Sequence, residues 1–276
     1  MASIDRATCL ESPHVASSTG DGLTMKIGRR RLRGFRRRLL DGSNYKAIPR
    51  FFRVHRHPIR TLFEDVFSLG RYPRTISIKT PIGTANAQLF SAADLSTLNL
   101  VFCRQDYYLP PNTKVVVDIG SNIGLSSLFW LTRNHESFVY CYEPSPASYD
   151  RLLANLGPFQ GRFVAHREAV SNFRGSARLG IETSGVNSSL ELKSNNAVTC
   201  QVVHINEILE AVITQHGRID VLKIDSEGHE ARTLEAIAPG HWEHIRCINI
   251  GCHGAAECVP KEFRYSQVAS AERFWR

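Results

Sequence analysis

Two places in the sequence carry residue types that could bind a nucleotide-like ligand. The first is "VVVDIGSNIG", in which a run of valines leads to an aspartate and then to two glycines around Ser-Asn-Ile. Gly120 permits a backbone turn that few other residues adopt, and Gly124 allows close approach of a ligand or neighbouring element. The second is Glu143, which follows the next apolar run. A carboxylate there can accept hydrogen bonds from ribose hydroxyls, so the pattern predicts a pocket for an adenosine-like ligand.

The spacing of the glycine loop discriminates between the candidate ligands. A dinucleotide fingerprint reads G-x-G-x-x-G, whereas this loop has three residues between its two glycines, and no P-loop lysine follows. An aspartate at the start of the loop would repel a pyrophosphate but would suit an ammonium and a sulfonium group. We therefore predict an S-adenosyl-L-methionine site rather than an NAD site. Its loop residues are Asp118, Gly120, Ser121, Asn122 and Gly124.

A second acidic stretch, "KIDSEGHE", follows a later apolar run. Asp225 or Glu227, or His253 after the last predicted strand, could take the proton from an attacking hydroxyl. A structural alternative stays open for both acids, since Asp225 could cap the following helix and Glu227 could order the loop. Lys223, inside the apolar run, is compatible with either a site role or a place at a sheet edge.

Alternating strands and helices must position these residues. From Lys114 onward, short β-rich runs alternate with helical stretches, which predicts an α/β fold with a mostly parallel sheet and helices on both faces. Ligands of such sheets bind at the carboxyl ends of the strands. Only 21 residues follow residue 255. We therefore expect the sheet to be abbreviated at its C-terminal end, or its edge to be covered by the strand predicted near residues 75–83.

Positive charge is concentrated at one end of the chain. The net charge of the 276 residues is +8, yet the first 60 residues hold 14 lysines and arginines against 4 acidic residues. We predict a basic, disordered arm over residues 1–45, a helical and strand extension over 46–112, and an S-adenosyl-L-methionine-dependent domain over 113–276. The arginine-rich residues 28–40 are interpreted as a solvated leader or a helix covering the domain. Weak contact with an anionic membrane, or with nucleic acid, is the alternative.

Composition excludes several classes of protein. The hydrophobic fraction of 42% and the charged fraction of 22% are typical of a globular protein. No apolar run reaches the length of a transmembrane helix, and no secretory signal is recognised. The seven cysteines include no CxxC pair. We therefore expect no disulfide framework, no metal site and a cytoplasmic location.

Four motifs together resemble the FkbM family of S-adenosylmethionine-dependent methyltransferases. They are "VVVDIGSNIGLSSLFW", "YCYEPSPASYDRLLANL", "HREAVSNFRGSARL" and "IDVLKIDSEGHEARTLEAI", in the order in which the family has them, within residues 75–253. The resemblance implies a class I (Rossmann-like) methyltransferase fold. It also implies O-methylation of a small-molecule or sugar/glycan hydroxyl, with S-adenosyl-L-methionine as the cofactor.

The resemblance further implies a role for each motif. The loop residues would surround the methionine part of the cofactor, and Asp225 and Glu227 would face the methyl group. The remaining implied cofactor contacts are Glu143, Pro144 and Ser145 at the ribose, and Glu168 and Ala169 near the adenine.

One position departs from the family's pattern. The family has a glutamate near the end of the last parallel strand, whereas this chain has Gly251 there and keeps His253. Two alternatives to an active small-molecule or sugar methyltransferase therefore stay open. One is a degenerate methyltransferase-like binding or scaffold protein. The other is a nucleic-acid methyltransferase that uses the basic arm, although the chain lacks the Asn/Asp-Pro-Pro-aromatic motif for flipped bases.

Overall fold

A computed structural model of the protein describes nine stretches of the chain. They are residues 26–27, 30–31, 42–66, 70–181, 188–189, 197–226, 228–251, 255–269 and 271–276. The described residues form a central seven-stranded sheet with helices on both faces, a smaller four-stranded sheet and two separate strand pairs. No helix within these stretches is long and apolar enough to cross a membrane.

The part of the chain before the central sheet is mostly helical. Its elements are β1 (Lys26–Ile27), β2 (Arg30–Arg31), α1 (Gly42–Val54), α2 (Pro58–Val66), β3 (Arg74–Thr80), β4 (Gly83–Leu89), α3 (Ala92–Leu98) and a π-helical turn (Asn99–Arg104). The strand predicted near residues 75–83 is confirmed as β3. In the arginine-rich stretch, Arg30 and Arg31 lie in a strand, and the other residues of 28–40 lie outside the described residues.

From residue 115 onward the chain alternates as the sequence predicts. Its first half comprises β5 (Val115–Ile119), α4 (Leu125–Leu131), β6 (Phe138–Tyr142), α5 (Pro146–Leu156), β7 (Phe163–His166), β8 (Glu168–Ser171), β9 (Gly175–Ile181) and β10 (Ser188–Ser189). Its second half comprises β11 (Ala197–His204), α6 (Ile205–His216), β12 (Val221–Ile224), α7 (Glu230–Glu235), α8 (Pro239–Trp242), β13 (Cys247–Ile250), β14 (Arg264–Val268) and β15 (Ala271–Trp275).

The central sheet has the order β14-β15-β13-β12-β5-β6-β7. Strands β5, β6, β7, β12 and β13 are parallel, and only the pairings made by β15 are antiparallel. The chain leaves β5 in one direction toward β6 and later returns to its other side at β12. The order therefore reverses at β5, which is where α/β sheets bind ligands. The predicted α/β class and the class I, Rossmann-like architecture are confirmed.

The expectation of an abbreviated sheet is wrong. The last residues form the hairpin β14–β15, and β15 pairs with β13, burying Ala271 and Phe274. A hairpin needs only a few connecting residues, so two strands fit where a helix and two strands would not. The β3–β4 hairpin forms a separate two-stranded sheet and does not cover the edge of the central sheet.

The stretch "RFVAHREAV" forms two strands in two different sheets. β7 ends the central sheet, whereas β8 pairs in parallel with β11 of the smaller sheet. β11 pairs on its other side with β9, antiparallel. The chain therefore leaves the central sheet at His166 and enters the smaller sheet at Glu168. This change places the smaller sheet next to the carboxyl ends of the central strands.

The extension before residue 113 shares the hydrophobic core of the central sheet. The β3–β4 hairpin, α3 and the π-helical turn contribute Ile78, Leu89, Leu95 and Phe102 to the same cluster as Trp130. Polar contacts join the same parts, since the side chain of Asn155 on α5 bonds to Gln88 of β4. We conclude that the residues that position the site include the extension and not only the residues after 113.

A buried carboxylate ties the amino ends of the central strands together. Asp220 is fully buried and accepts hydrogen bonds from the backbone N–H groups of Lys114 and Val115. Its other oxygen lies 3.0 Å from Arg218 and 3.0 Å from Arg246. Burial alone would raise the pKa of Asp220, but these donors more than offset burial and hold the pKa below its usual value.

Asp220→Ala should lower the free energy of unfolding by about 3 kcal/mol, because two backbone donors and two guanidinium groups lose a buried acceptor. Urea titration measures the free energy of unfolding. The control is Glu136→Ala, which removes an exposed ion pair and should change this free energy little. Since the folded pKa of Asp220 is depressed, its stabilisation is complete above the unfolded pKa of about 4 and disappears as the pH falls further. Equal stability of both variants at neutral pH would contradict this.

Candidate functional site

A cavity opens at the carboxyl ends of β5, β6 and β12, where the strand order reverses. Four parts of the chain line it: the loop after β5, the turn after β6, the loop after β12 and the smaller sheet. Residues of the extension close it on a further side. The lining residues used below are Asp94, Thr97, Val101, Tyr107, Gly120, Ser121, Asn122, Tyr142, Glu143, Pro144, Glu168, Ala169, Leu179, Lys223 and Asp225.

The glycine loop bends sharply from β5 under the end of β12. Gly120 has a φ of +72°, and a Cβ atom at this position would lie 1.9 Å from the carbonyl oxygen of Asp225. Only glycine fits there, both by conformation and by space. The N–H groups of Gly120 and Ser121 donate to the carbonyl of Tyr142, which fixes the loop against the end of β6.

Gly124 acts at the other end of this loop. It has a φ of +84° and precedes α4, and a Cβ atom there would lie 3.2 Å from the side chain of Leu152 on α5. Gly124 therefore allows α4 and α5 to pack closely. It is not one of the described residues that line the cavity.

Asp118 also lies behind the loop rather than in the cavity. It is fully buried, and one oxygen accepts hydrogen bonds of 2.6 Å from both Ser126 and Ser127. The other oxygen lies 3.2 Å from the ammonium group of Lys223. This differs from the predicted contact with a ligand ammonium, because a residue of the protein already supplies the cation. The sequence pattern locates the aspartate but not its partner.

Lys223 neutralises this buried charge and supports the loop. It projects from β12 and lies 2.6 Å from the carbonyl of Gly120 and 3.2 Å from that of Ile119. Burial alone would lower the pKa of Lys223, but the carboxylates of Asp118 and Asp225 raise it above its usual value. Lys223 is therefore a charged residue of the site, and the sheet-edge alternative is wrong because β12 lies inside the sheet.

Glu143 is a buried carboxylate at the turn after β6. Its oxygens accept hydrogen bonds from the N–H groups of Asn122 and Ser145, each at 2.8 Å. These bonds connect the glycine loop to the turn after β6. Burial nevertheless raises the pKa of Glu143 to about 7, against the lowering effect of these two donors. A carboxylate lining a cavity with a pKa near neutrality is typical of a functional site.

The turn that carries Glu143 has a rigid backbone. Pro144 lines the cavity, while Ser145 caps the N-terminus of α5 and lies behind the lining. The pattern Glu-Pro-Ser-Pro therefore directs Glu143 into the cavity and starts the helix at Pro146.

The smaller sheet supplies an apolar wall next to Glu143. Ala169 of β8 and Leu179 of β9 are buried and line the cavity, whereas Glu168 is half-exposed at its mouth. Tyr142 lines the same side, and its ring stacks on His166 at 4.7 Å. The predicted residues Glu168 and Ala169 thus lie on one wall, with Leu179 as a neighbour that the sequence analysis missed.

Asp225 reaches the cavity from the loop after β12. The hydroxyl of Tyr107 donates to its carboxylate at 3.3 Å, and Lys223 lies 3.8 Å away. Burial, and then the charges of Asp225 and Asp118, raise the pKa of Tyr107. Tyr107 is therefore a neutral hydrogen-bond donor. Nothing in the local pattern around Tyr107 indicates this role, because 118 residues separate it from its partner.

The alternative that Asp225 caps the next helix is wrong. Glu230 holds that loop instead, since its carboxylate accepts hydrogen bonds from the N–H groups of Ser226 and Gly228. Glu230 is the first residue of α7, and His229 precedes it. Glu227 and His253, the other two predicted catalytic residues, lie outside the described residues.

Gly251 provides the space that the Asp225 side chain occupies. A Cβ atom at position 251 would lie 2.1 Å from one carboxylate oxygen of Asp225 and 2.3 Å from its carboxyl carbon. A side chain at 251 and the observed position of Asp225 are therefore mutually exclusive. Glycine at position 251 therefore leaves room for the carboxylate of Asp225, which comes from the loop after β12.

Gly251→Ala should displace the Asp225 carboxylate from Tyr107 and lower the free energy of unfolding by about 1–3 kcal/mol, as overpacking does. Denaturant titration and a crystal structure of the variant measure the two effects. Gly240→Ala is the matched control, since nothing lies within 4 Å of its Cβ position. An unchanged Asp225 position in Gly251→Ala would contradict the expected overlap.

Comparison with known proteins places this site in a family. The sequence model of the "Methyltransferase FkbM domain" matches residues 118–258, just over half of the chain. This match includes the glycine loop, Glu143, Asp225 and Gly251. Membership of this family implies a methyl donor as the cofactor.

Two curated proteins illustrate the relationship. The hexuronic acid methyltransferase AglP of Haloferax volcanii is 26% identical over 123 residues, covering 45% of this chain and 49% of AglP. The 31-O-demethyl-FK506 methyltransferase FkbM of Streptomyces tacrolimicus is 25% identical over 169 residues, covering 50% of this chain and 65% of FkbM. The matched region thus spans about half the length of AglP.

A search of solved structures finds the fibrillarin pre-rRNA processing protein of Methanococcus jannaschii. It is 11% identical, with a TM-score of 0.41, over 75% of this chain and 92% of that protein.

Proposed function

The chain belongs to the FkbM family of methyltransferases, and from this premise we propose that it transfers a methyl group from S-adenosyl-L-methionine to a hydroxyl of a small molecule or sugar. One observation carries the proposal. A buried carboxylate, Glu143, ends the strand beside the glycine loop and faces the cavity at the point where the strand order reverses.

The residues of the cavity fit such a cofactor chemically. The ionised carboxylate of Glu143 would accept hydrogen bonds from the ribose hydroxyls, and Ala169 and Leu179 would contact the adenine. The backbone of Gly120, Ser121 and Asn122 would lie along the methionine part. When bound, S-adenosyl-L-methionine supplies an electrophilic methyl group on its sulfonium.

Asp118 has an indirect role in this proposal. Its charge is compensated by Lys223, and both residues hold the loop that contacts the ligand. Gly124 and Ser145 act similarly, through packing and helix capping. We therefore assign these three predicted residues to positioning of the binding loop and turn, and not to direct contact.

Asp225 is the proposed base. Transfer to an alcohol needs alignment of the hydroxyl oxygen and removal of its proton. The carboxylate of Asp225 would accept this proton, while Tyr107 and Lys223 hold the carboxylate in place. Glu227 and His253 are proposed as further catalytic residues from their positions in the sequence alone.

The acceptor class follows from the relatives' names. AglP is named for hexuronic acid and FkbM for 31-O-demethyl-FK506, which favours a sugar or small-molecule hydroxyl as the acceptor of this chain. Neither a scaffold protein nor a nucleic-acid methyltransferase is favoured. The carboxylate of Asp225 is present at the cavity although position 251 lacks the family's glutamate, which supports an active enzyme.

Affinity for S-adenosyl-L-methionine should rise between pH 6 and 8. Below a pKa of about 7 Glu143 is protonated and is a weaker acceptor, and above this pKa it is ionised. Glu143→Gln should weaken binding about 10-fold or more and abolish the pH dependence. Isothermal titration calorimetry across this pH range measures both.

Glu210→Gln, on the exposed face of α6, is the control and should bind as the wild type does. If the wild type binds neither S-adenosyl-L-methionine nor S-adenosylhomocysteine at any of these pH values, the proposed function is wrong.

Asp225→Asn should lower kcat about 100-fold or more through loss of the base, with little change in cofactor affinity. Tyr107→Phe keeps the base and should lower kcat less than Asp225→Asn does, because the carboxylate loses one hydrogen-bond donor. Transfer of labelled methyl groups to a panel of uronic acids, neutral sugars and macrolide alcohols identifies the acceptor, and kcat is then measured with it. An Asp225→Asn variant with wild-type kcat would overturn the assignment.

A further inference from the structure

The residues that follow the π-helical turn are held by the last two strands of the parallel and antiparallel parts of the central sheet, β13 and β15. We call residues 105–108 the tyrosine segment, because it carries Tyr107. Gln105 begins it with a φ of +58°, in the left-handed region. These four residues lie in neither a helix nor a strand. Their backbone N–H and C=O groups therefore need partners from elsewhere in the protein.

Asn249 of β13 holds the segment after Tyr107. Its side-chain oxygen accepts a hydrogen bond of 2.7 Å from the N–H of Tyr108, and its side-chain nitrogen donates one of 3.0 Å to the carbonyl of Tyr108. Asn249 is fully buried and lies between Ile248 and Ile250 on the strand. A buried amide costs free energy unless it is hydrogen-bonded, and here both of its polar ends bond to the backbone of Tyr108.

Arg273 of β15 holds the segment before Tyr107. Its guanidinium donates to the carbonyl of Asp106 at 2.6 Å and also to the carbonyl of Gln105. Asn249 and Arg273 are directly opposite each other in the antiparallel pairing of β13 with β15. Residues opposite each other in a sheet project from the same face. One face of these two strands therefore presents both side chains to the tyrosine segment.

These hydrogen bonds fix the two peptide groups that flank Tyr107. The carbonyl oxygen of the peptide group between Asp106 and Tyr107 is bonded to Arg273. The N–H of the peptide group between Tyr107 and Tyr108 is bonded to Asn249. Because a residue has only two soft dihedral angles between its two peptide planes, fixing both planes also fixes the direction of the Tyr107 side chain.

Aromatic contacts support the same placement. The ring of Tyr108 lies 5.1 Å from that of Trp275, which is also on β15. The ring of Tyr107 lies 5.8 Å from that of the buried Trp130 on α4. With its backbone and ring held in this way, Tyr107 places its hydroxyl 3.3 Å from the carboxylate of Asp225.

We propose that Asn249 and Arg273 are positioning residues for methyl transfer, which hold Tyr107 where its hydroxyl orients the carboxylate of Asp225. Neither is among the described residues that line the cavity, so both act through Tyr107. The inference rests on the proposed function, in which Asp225 is the base. It gives the C-terminal hairpin a role in the reaction besides completion of the sheet.

A double-mutant cycle tests the inference. Asn249→Ala leaves the N–H of Tyr108 without its acceptor and should lower kcat about 10-fold, to the level of Tyr107→Phe, because the hydroxyl no longer orients Asp225. In the Tyr107→Phe background the same substitution should change kcat by less than about 2-fold, since no hydroxyl is left to position. The affinity for S-adenosyl-L-methionine, measured by calorimetry, should stay as in the wild type.

Two further variants examine Arg273. Arg273→Ala should also lower kcat about 10-fold, and it keeps the inference testable if Asn249→Ala does not fold. Arg273→Lys retains a charged donor and should recover part of the lost kcat.

Asp220→Ala is the matched control. It removes another buried side chain that accepts hydrogen bonds from backbone groups, at the amino ends of the central strands. It should lower stability and leave kcat unchanged at temperatures where the variant is folded. Thermal unfolding of every variant establishes those temperatures.

Three results would overturn the inference. They are a wild-type kcat in both alanine variants, a second loss of about 10-fold when Asn249→Ala is added to Tyr107→Phe, and a crystal structure of a folded alanine variant in which Tyr107 keeps its hydrogen bond to Asp225. The crystal structure does not depend on turnover. A displaced Tyr107 together with a wild type that transfers no methyl group would therefore refute the proposed function and not the positioning of Tyr107.

Discussion

The buried pair between Lys223 and Asp118 is the interaction on which the site depends. An ammonium and a carboxylate inside the central sheet are tolerated only when each has partners. Two serine hydroxyls satisfy one oxygen of Asp118, and the carbonyl oxygens of the glycine loop receive the lysine. The loop after β5 is thereby held by a charge from the neighbouring strand. Its backbone N–H groups, the turn after β6 and Asp225 all take their positions from this arrangement.

Around this pair, the protein places two carboxylates in different environments. Glu143 is buried and held by two backbone donors, and burial sets its pKa near 7. Asp225 is partly exposed at the cavity and contacts Tyr107 and Lys223. A methyl transfer needs cofactor binding and removal of the acceptor's proton. Glu143 suits the first as a binding residue that can be neutral, and Asp225 suits the second as a base that stays accessible to the acceptor. Gly251 has no side chain, and the carboxylate of Asp225 occupies the space that a side chain would take.

The extension of the chain before residue 113 is part of this site. Its inner residues complete the core and line the cavity, with Tyr107 as the polar contact. The helix α1 packs Ala47, Phe51 and Val54 against this core, and the π-helical turn contributes Val101 to the lining of the cavity.

Local sequence patterns specify the helices and strands of this protein and the residues at their ends. Apolar runs, glycines and capping residues act over a few positions, so the strands, the loop at Gly120 and the place of Glu143 could be read directly. Which of these residues face the cavity depends on how the strands assemble into the sheet. Lys223 forms an ion pair with Asp118, Tyr107 donates a hydrogen bond to Asp225 from a distant part of the sequence, and the last residues form a hairpin. These contacts depend on strand order and register across the sheet, and local sequence patterns carry no information about which distant segments become neighbours.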